Sequence, residues 1–443
     1  MSRYNLAWMI AIPMAMLVGV TLSFSSPTRE RDKEYKLVRT IVDVLAEVDQ
    51  LYVRELDDKQ KERLVEDMIN GGLSKLDPHS HYMNPEEFNQ FNQHTEGKFG
   101  GVGIHISVDQ RSGMLMVLSP MFDTPAYAAG VLAGDIITKI DGKSTETMDV
   151  TDATRLIQGE PGTPISLTVV HEGTRKEETF DIKRSKIEVA SVLGLNRRDD
   201  DLREWDWYAD RASGIAFIRV IQFSDRTTAD LKKVVERLDA EGAKALVLDL
   251  RDNPGGLLTS AIEVSDLFLT EGPIVSTRDR HGNGKQEVAK KDGTLFEPAS
   301  EKPIAVLINK FSASASEIVS AALQDNKRAA VVGERSYGKG SVQKIRNLGG
   351  DPPTALKLTT DTYWRPSGAN IHRHPDSKET DEWGVKPTPG LEVVMKDEER
   401  LEYLRYKRAK DIIHKDKPKE PQKPFQDRVL DKAIEHLKGV LKK

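Results

Sequence analysis

Residues 245–256 read Ala245-Leu246-Val247-Leu248-Asp249-Leu250-Arg251-Asp252-Asn253-Pro254-Gly255-Gly256, and they decide the fold class. The first six are an almost unbroken apolar run, the pattern of a strand buried on both faces. Asn253-Pro254-Gly255-Gly256 then breaks the strand, and Leu257 to Leu269 follows as a helix. The same alternation extends outward. Upstream, Ile215 to Val220 reads as a strand and Asp230 to Ala240 as a helix. Downstream come a buried strand at Ile304 to Ile308, a helix at Glu317 to Gln324 and a strand at Ala329 to Gly333. Strands alternating with helices predict an α/β core with parallel pairs.

The texture changes towards the N-terminus. From Gly97 the chain has short strands and glycines, with a hairpin-type Asp141-Gly142 turn and a helix at Val150 to Ile157, which predicts a compact domain over 97–187. Before it, Leu37, Ile41, Val44, Leu45, Val48, Leu51 and Tyr52 fall at helix spacing, Lys59 to Leu73 continues in the same way, and 35–95 reads as a helical segment. Leu6 to Phe24 is 19 residues without a charge, preceded by Arg3, and 1–27 reads as an uncleaved signal anchor or a cleaved signal peptide. Either places the body outside the cytoplasm, on the periplasmic side or in the cell envelope. The core is assigned to 188–395 and two terminal helices to 396–443, joined by a linker at Lys417-Pro418-Lys419-Glu420-Pro421.

Composition narrows the chemistry. The 443 residues are 38% hydrophobic and 30% charged, which excludes a polytopic membrane protein. A net charge of −5 argues against a general nucleic-acid binder. There is no cysteine, so no disulfide, thiol nucleophile or Cys-ligated metal. The pairs His79/His81 and His372/His374 have no third ligand pattern nearby, and loop or surface roles are expected for them rather than a metal; no cofactor is expected either.

Three segments carry possible chemistry. Phe311-Ser312-Ala313-Ser314-Ala315-Ser316-Glu317 joins a strand to a helix and would expose a hydroxyl at the helix start, although Ser314 with Glu317 also fits a capping box. Gly333 to Lys339 matches a phosphate-binding loop in spacing. Gly340 stands where Ser or Thr is required, and Ser341-Val342-Gln343-Lys344-Ile345 alternates as a strand, which excludes that reading. The Gly255-Gly256 turn could aim backbone N–H groups at a developing negative charge.

In this order and spacing the segments resemble the carboxy-terminal processing (tail-specific) proteases from about residue 35 to 440. The match includes Leu76-Asp77-Pro78-His79-Ser80, Phe99-Gly100-Gly101-Val102-Gly103-Ile104, Leu248 to Gly256, Ser312 to Ala321 and Tyr337-Gly338-Lys339-Gly340-Ser341-Val342-Gln343. The resemblance implies a crotonase/ClpP-like protease core with an inserted PDZ domain and helical N- and C-terminal segments. It implies a serine endopeptidase in which Ser314 is the nucleophile, Lys339 the general base and Gln343 the residue that orients the lysine. The oxyanion hole would use the Ala315 N–H and one from Gly255 or Gly256. A lysine can serve as base only if its surroundings lower its pKa from about 10.4.

The 97–187 domain would take a substrate C-terminus on Gly100, Gly101, Val102, Gly103 and Ile104 by strand addition, with Leu156 and Ile157 walling an apolar pocket and the domain gating activity. Many relatives carry a basic residue within Leu156-Ile157-Gln158-Gly159, where this chain has Gln158. The implied partners are protein or peptide substrates with accessible C-termini, the membrane through residues 6–24, and a homodimer or an activating adaptor. A silent tail-binding module and an acyl-thioester enzyme on a related core are the competing readings. The presence of Ser314 and Lys339 argues against the first, and the inserted domain with Lys339 and Gln343 against the second.

Overall fold

The computed structural model describes residues 28–109, 112–171, 174, 176–198, 200–201, 203–291, 293–412 and 425–442. The apolar stretch Leu6 to Phe24 and the Lys417 to Pro421 linker lie outside them. Among the described residues no helix is long and apolar enough to cross a membrane. The chain forms two units, Met1–Lys75 and Leu76–Lys443.

The first unit contains α1 (Thr28–Leu51) and α2 (Asp58–Leu73). A reciprocal capping box between Asp57 and Gln60 starts α2. On α1 the apolar residues Tyr35, Leu37, Val38, Ile41 and Val42 are exposed.

The second unit opens with β1 (His81–Met83), α3 (Pro85–Glu96), β2 (Lys98–Gly101), β3 (Ile104–Val108), β4 (Leu115–Pro120), α4 (Pro125–Ala129), β5 (Ile136–Ile140), β6 (Lys143–Ser144), α5 (Val150–Ile157), β7 (Pro164–Val170), β8 (Glu177–Lys183) and β9 (Ser185–Glu188). The strands β3-β4-β5-β7-β8 form one antiparallel sheet, with β3 at its edge and β6 beside β5. Its core holds Val102, Leu115, Val117, Ile137, Ile140, Ala153, Leu167 and Val169. β8 escapes a reading by hydrophobicity, because within Glu177–Lys183 only Ile182 is buried; charged side chains suit an edge strand. The chain enters and leaves this domain on a two-stranded ribbon, β2 against β9, from Lys98↔Glu188 to Gly101↔Ser185.

The chain continues through β10 (Val192–Leu193), β11 (Asn196–Arg197), β12 (Trp205–Asp206), β13 (Tyr208–Asp210), β14 (Ile215–Val220), α6 (Thr227–Ala240), β15 (Ala245–Asp249), α7 (Leu258–Asp266), β16 (Pro273–Asp279), β17 (Gly284–Val288), β18 (Ile304–Ile308), α8 (Ala315–Asp325), β19 (Ala329–Gly333), β20 (Ser341–Gly349), β21 (Thr354–Trp364), α9 (Asp397–Asp411) and α10 (Arg428–Leu441). The strands β14-β15-β18-β19 are parallel, as the alternation requires. Every residue of β14, β15 and β18 is buried, because both faces are covered. On one face Ile218, Leu248 and Val306 pack with Leu231, Val264 and Ile318 of α6, α7 and α8. On the other, Phe217, Val247 and Leu307 pack with Tyr403, Val429, Ala433 and Leu437 of the C-terminal helices. Helices α9 and α10 therefore complete the core.

A second sheet runs β1-β21-β16-β17, with β20 on β21. Its β1 lies inside the stretch read from sequence as helical, and it registers His81 against Lys357. A three-residue strand carries too short a pattern to separate from its helical neighbours.

Candidate active site

Ser314 stands where β18 hands over to α8. Its φ of +55° and ψ of −114° are outside the conformations a serine adopts freely, and such strain persists only where surrounding bonds impose it. Those bonds are present. Ser312 Oγ donates to the Leu250 carbonyl at 2.8 Å. The Ala313 N–H and Ser316 Oγ both donate to the Asn253 carbonyl, at 3.1 and 3.0 Å. The Ser314 N–H donates to Glu317 Oε2 at 2.8 Å.

Glu317 is fully buried. Besides Ser314, its carboxylate accepts from the Lys339 N–H at 2.8 Å, on the same Oε2. Its Oε1 accepts from the Gly338 N–H and Ser336 Oγ, each at 2.6 Å. One carboxylate oxygen thus holds the backbones of Ser314 and Lys339 within two hydrogen-bond lengths of each other. Burial pushes the Glu317 carboxyl above its usual range, against the opposing effect of those four bonds.

Lys339 is half-buried, and loss of solvation holds its ammonium below the ordinary lysine value. The Lys357 charge adds to that depression, and Glu317 and Asp77 oppose it. His79, whose own pKa is lowered by burial and by Lys339, and His372, lowered by burial and by His374, are close enough to interact with each other. Both histidines sit in loops, as read from sequence; His79 lies near the lysine and the His372 backbone lies against Gly340. Gly340 is required here, since a Cβ would lie 2.2 Å from the His372 nitrogen. Gln343 Nε2 donates to Ser341 Oγ at 3.0 Å and Thr359 Oγ1 at 3.1 Å.

The turn after β15 faces Ser314. Asn253 is fully buried; its Nδ2 donates to the Val220 carbonyl at 2.8 Å and its Oδ1 accepts from the Gly255 N–H at 2.9 Å. Gly255 has φ +104°, and a Cβ there would come within 2.8 Å of Ser314 Cβ and 3.0 Å of the Ala315 nitrogen. The N–H groups of Ala315 and Gly256 have no acceptor among the described residues.

Comparison with known proteins gives the family. Residues 214–388 match peptidase family S41, and residues 116–170, inside the inserted domain, match a PDZ domain. The carboxy-terminal-processing protease of Bartonella bacilliformis is 38% identical over 437 residues, 95% of this chain and 92% of that protein. The chain belongs to the carboxy-terminal-processing protease family. Carboxy-terminal processing protease CtpA of Bacillus subtilis is 32% identical over 80% of this chain and 68% of its own length. Among solved structures, the photosystem II D1 C-terminal processing protease aligns with 79% of this chain and 86% of that one, at 26% identity and a TM-score of 0.43. This processing protease is accordingly a serine-type peptidase with an inserted PDZ domain.

The fold gathers Ser314, Ala315, Gly255, Gly256 and Lys339, and it ties Gln343 to Thr359. The PDZ positions separate. Gly100 and Gly101 lie in β2, paired with Lys186 and Ser185, so they are strand rather than open loop. Val102 is fully buried, and Gly103, with φ +79°, makes the turn into the edge strand that Ile104 begins. Leu156 packs partly buried against the domain core. Ile157 does not wall an open pocket: it is 6% exposed and sits in that core with Val102 and Ala153, because it falls on the inward stripe of α5. Arg155 Nε bonds Glu86 of α3 at 2.6 Å.

Sequence reading passed over Glu317 as an organiser, Asn253, Ser336, Asp77 and Thr359. The capping spacing from Ser314 was the available signal for Glu317. Thr359, within a strand, had none.

Proposed function

We propose that this processing protease is an exported endopeptidase that cuts proteins near their C-termini, with Ser314 as nucleophile and Lys339 as general base. The observation that carries the reading is the Glu317 oxygen shared by the Ser314 and Lys339 N–H groups. Neutral Lys339 takes the Ser314 proton as Oγ attacks the scissile carbonyl, and returns it to the leaving amine. The Ala315 N–H and the Gly255–Gly256 turn receive the oxyanion, the Gly256 N–H being the one without an acceptor. Water then releases the acyl group by the same route in reverse. Gln343 holds the lysine amine without adding a charge that would raise its pKa.

The exposed edge of β3 suits addition of a substrate tail as a further strand, and the β2–β9 ribbon is the link through which tail binding would gate the core. Residues 6–24 serve as anchor or signal, and the apolar side chains exposed on α1 suit a homodimer.

The test uses the full chain in mild detergent, as wild type, Ser314→Ala and Lys339→Ala, with an unfolded protein ending in apolar residues. Mass spectrometry should find C-terminal cuts by wild type alone. Equal cleavage by all three would overturn the assignment.

A further inference from the structure

The reading of Gln343 as the residue that orients Lys339 leaves open what orients Gln343. A primary amide offers two N–H donors at one end and a carbonyl acceptor at the other, and it can flip between them. Only its neighbours decide which end faces the lysine.

The neighbours form a chain of fixed polarity. Asp77 Oδ1 accepts from the His79 and Ser80 N–H groups at 2.7 and 2.8 Å, and Oδ2 accepts from Ser80 Oγ at 2.6 Å. Burial opposes ionisation of Asp77, but bonds from Ser80, His79 and Thr359 hold its carboxyl below the usual range. An ionised carboxylate only accepts. Thr359 Oγ1, 3.1 Å from Asp77 Oδ1, must therefore spend its single proton on Asp77. What Thr359 then presents to Gln343, at 3.1 Å, is lone pairs. The amide must face them with Nε2, and its carbonyl oxygen is turned away. The Thr359 backbone is held too, its N–H donating to Ser80 Oγ at 3.1 Å.

We infer that Asp77 and Thr359 are positioning residues that set the Gln343 amide with its carbonyl oxygen available to the Lys339 amine. The inference rests on the Ser314/Lys339/Gln343 reading. The charged and titratable groups around Lys339 are Lys357, Glu317, Asp77 and His79, with His372 beside His79. Thr359 carries no charge, so it acts on orientation alone. Asp77 also acts through space, since its charge raises the Lys339 pKa.

The test measures the rate at which a fluorophosphonate labels Ser314 in the full chain, across pH, together with kcat and KM on the unfolded protein. Thr359→Val should lower the labelling rate and kcat about 10- to 100-fold with KM unchanged, the cost of a misplaced catalytic group. Thr359→Ser should stay within about twofold of wild type, since it keeps the hydroxyl. In a Gln343→Ala background, Thr359→Val should have no further effect, because coupled residues do not add. Asp77→Asn keeps an oxygen for Thr359 and removes only the charge, so it should move the acidic limb of the profile to lower pH, whereas Asp77→Ala should also lower the rate.

Thermal melts establish that each variant is folded. If Thr359→Val does not fold, Asp77→Ala in the presence and absence of Gln343, compared above the acidic limb where the lost charge has no effect, runs the same cycle. Wild-type rates for Thr359→Val and Asp77→Ala, or equal losses with and without Gln343, overturn the relay. Wild-type labelling in Lys339→Ala overturns the base assignment beneath it, and the relay with it.

Discussion

Replacing Glu317 separates two things its carboxylate does. In Glu317→Ala, the Ser314, Gly338 and Lys339 N–H groups and the Ser336 hydroxyl proton lose their acceptor, while Ser336 Oγ still accepts from the Val385 N–H at 2.7 Å. A buried donor left unsatisfied costs about 1–3 kcal/mol. Relief of the buried charge and entry of water return part of that sum, so a net loss of about 3–5 kcal/mol is expected. In Glu317→Gln, the amide oxygen takes the Oε2 place and keeps Ser314 and Lys339. Its NH2 then donates to Ser336, and the Gly338 N–H and the Ser336 hydroxyl proton lose their acceptor, at about 1–3 kcal/mol together once the hydroxyl rotates. The glutamine also removes a negative charge that raises the Lys339 pKa, so the acidic limb of kcat/KM should move to lower pH. Urea unfolding gives the stability differences and labelling of Ser314 across pH gives the limb. Alanine should lower the labelling rate by about 100-fold or more, since Ser314 and Lys339 lose their common anchor. An alanine cost below about 1 kcal/mol with an unmoved limb in the glutamine variant would refute the reasoning.

Lys339→Met should raise stability, and more at pH 7 than near pH 10.5. The folded-state pKa of Lys339 is depressed, so the lysine costs nothing above its unfolded value and costs most once pH has fallen through the folded one; thermal melts at the two pH values check it. Gly256→Ala should prevent accumulation of folded protein, because a Cβ there would lie 2.0 Å from the Phe223 carbonyl oxygen; soluble yield and circular dichroism decide. Asp427→Ala should cost about 3–5 kcal/mol in urea unfolding, because it breaks a buried ion pair. Asp427 bonds the buried Arg251 guanidinium at 2.8 Å, beside Asp249 at 2.7 Å. A cost under about 1 kcal/mol would deny that this pair anchors α10.

The parallel layer was readable because β14, β15 and β18 are buried on both faces and appear as short apolar runs bounded by turns. The Ser314 segment stood out by its small residues between strand and helix, whereas Lys339 was singled out as a base only through the family resemblance. What escaped depends on pairing across long separations. β1 and β21 have ordinary compositions, and only their register brings Asp77 to Thr359. Glu317 looked like a helix cap because it is one locally; its second set of bonds, to 336–339, is tertiary. Ile157 was misplaced because an apolar residue on a short amphipathic helix does not declare which neighbour it meets.

The pairing of β1 with β21 also has a consequence for synthesis. A chain is made from its N-terminus, and domains fold as units as they emerge. Asp77 leaves the ribosome 282 residues before Thr359, and the whole PDZ domain is made between them. Ser314 follows, then Lys339, then Thr359, and the Asp427 that fastens the last helix comes near the very end. A protease assembled in this order completes its cutting site only once almost all of the polypeptide exists. The topology itself acts as a timer, since these positions come together only when most of the chain exists.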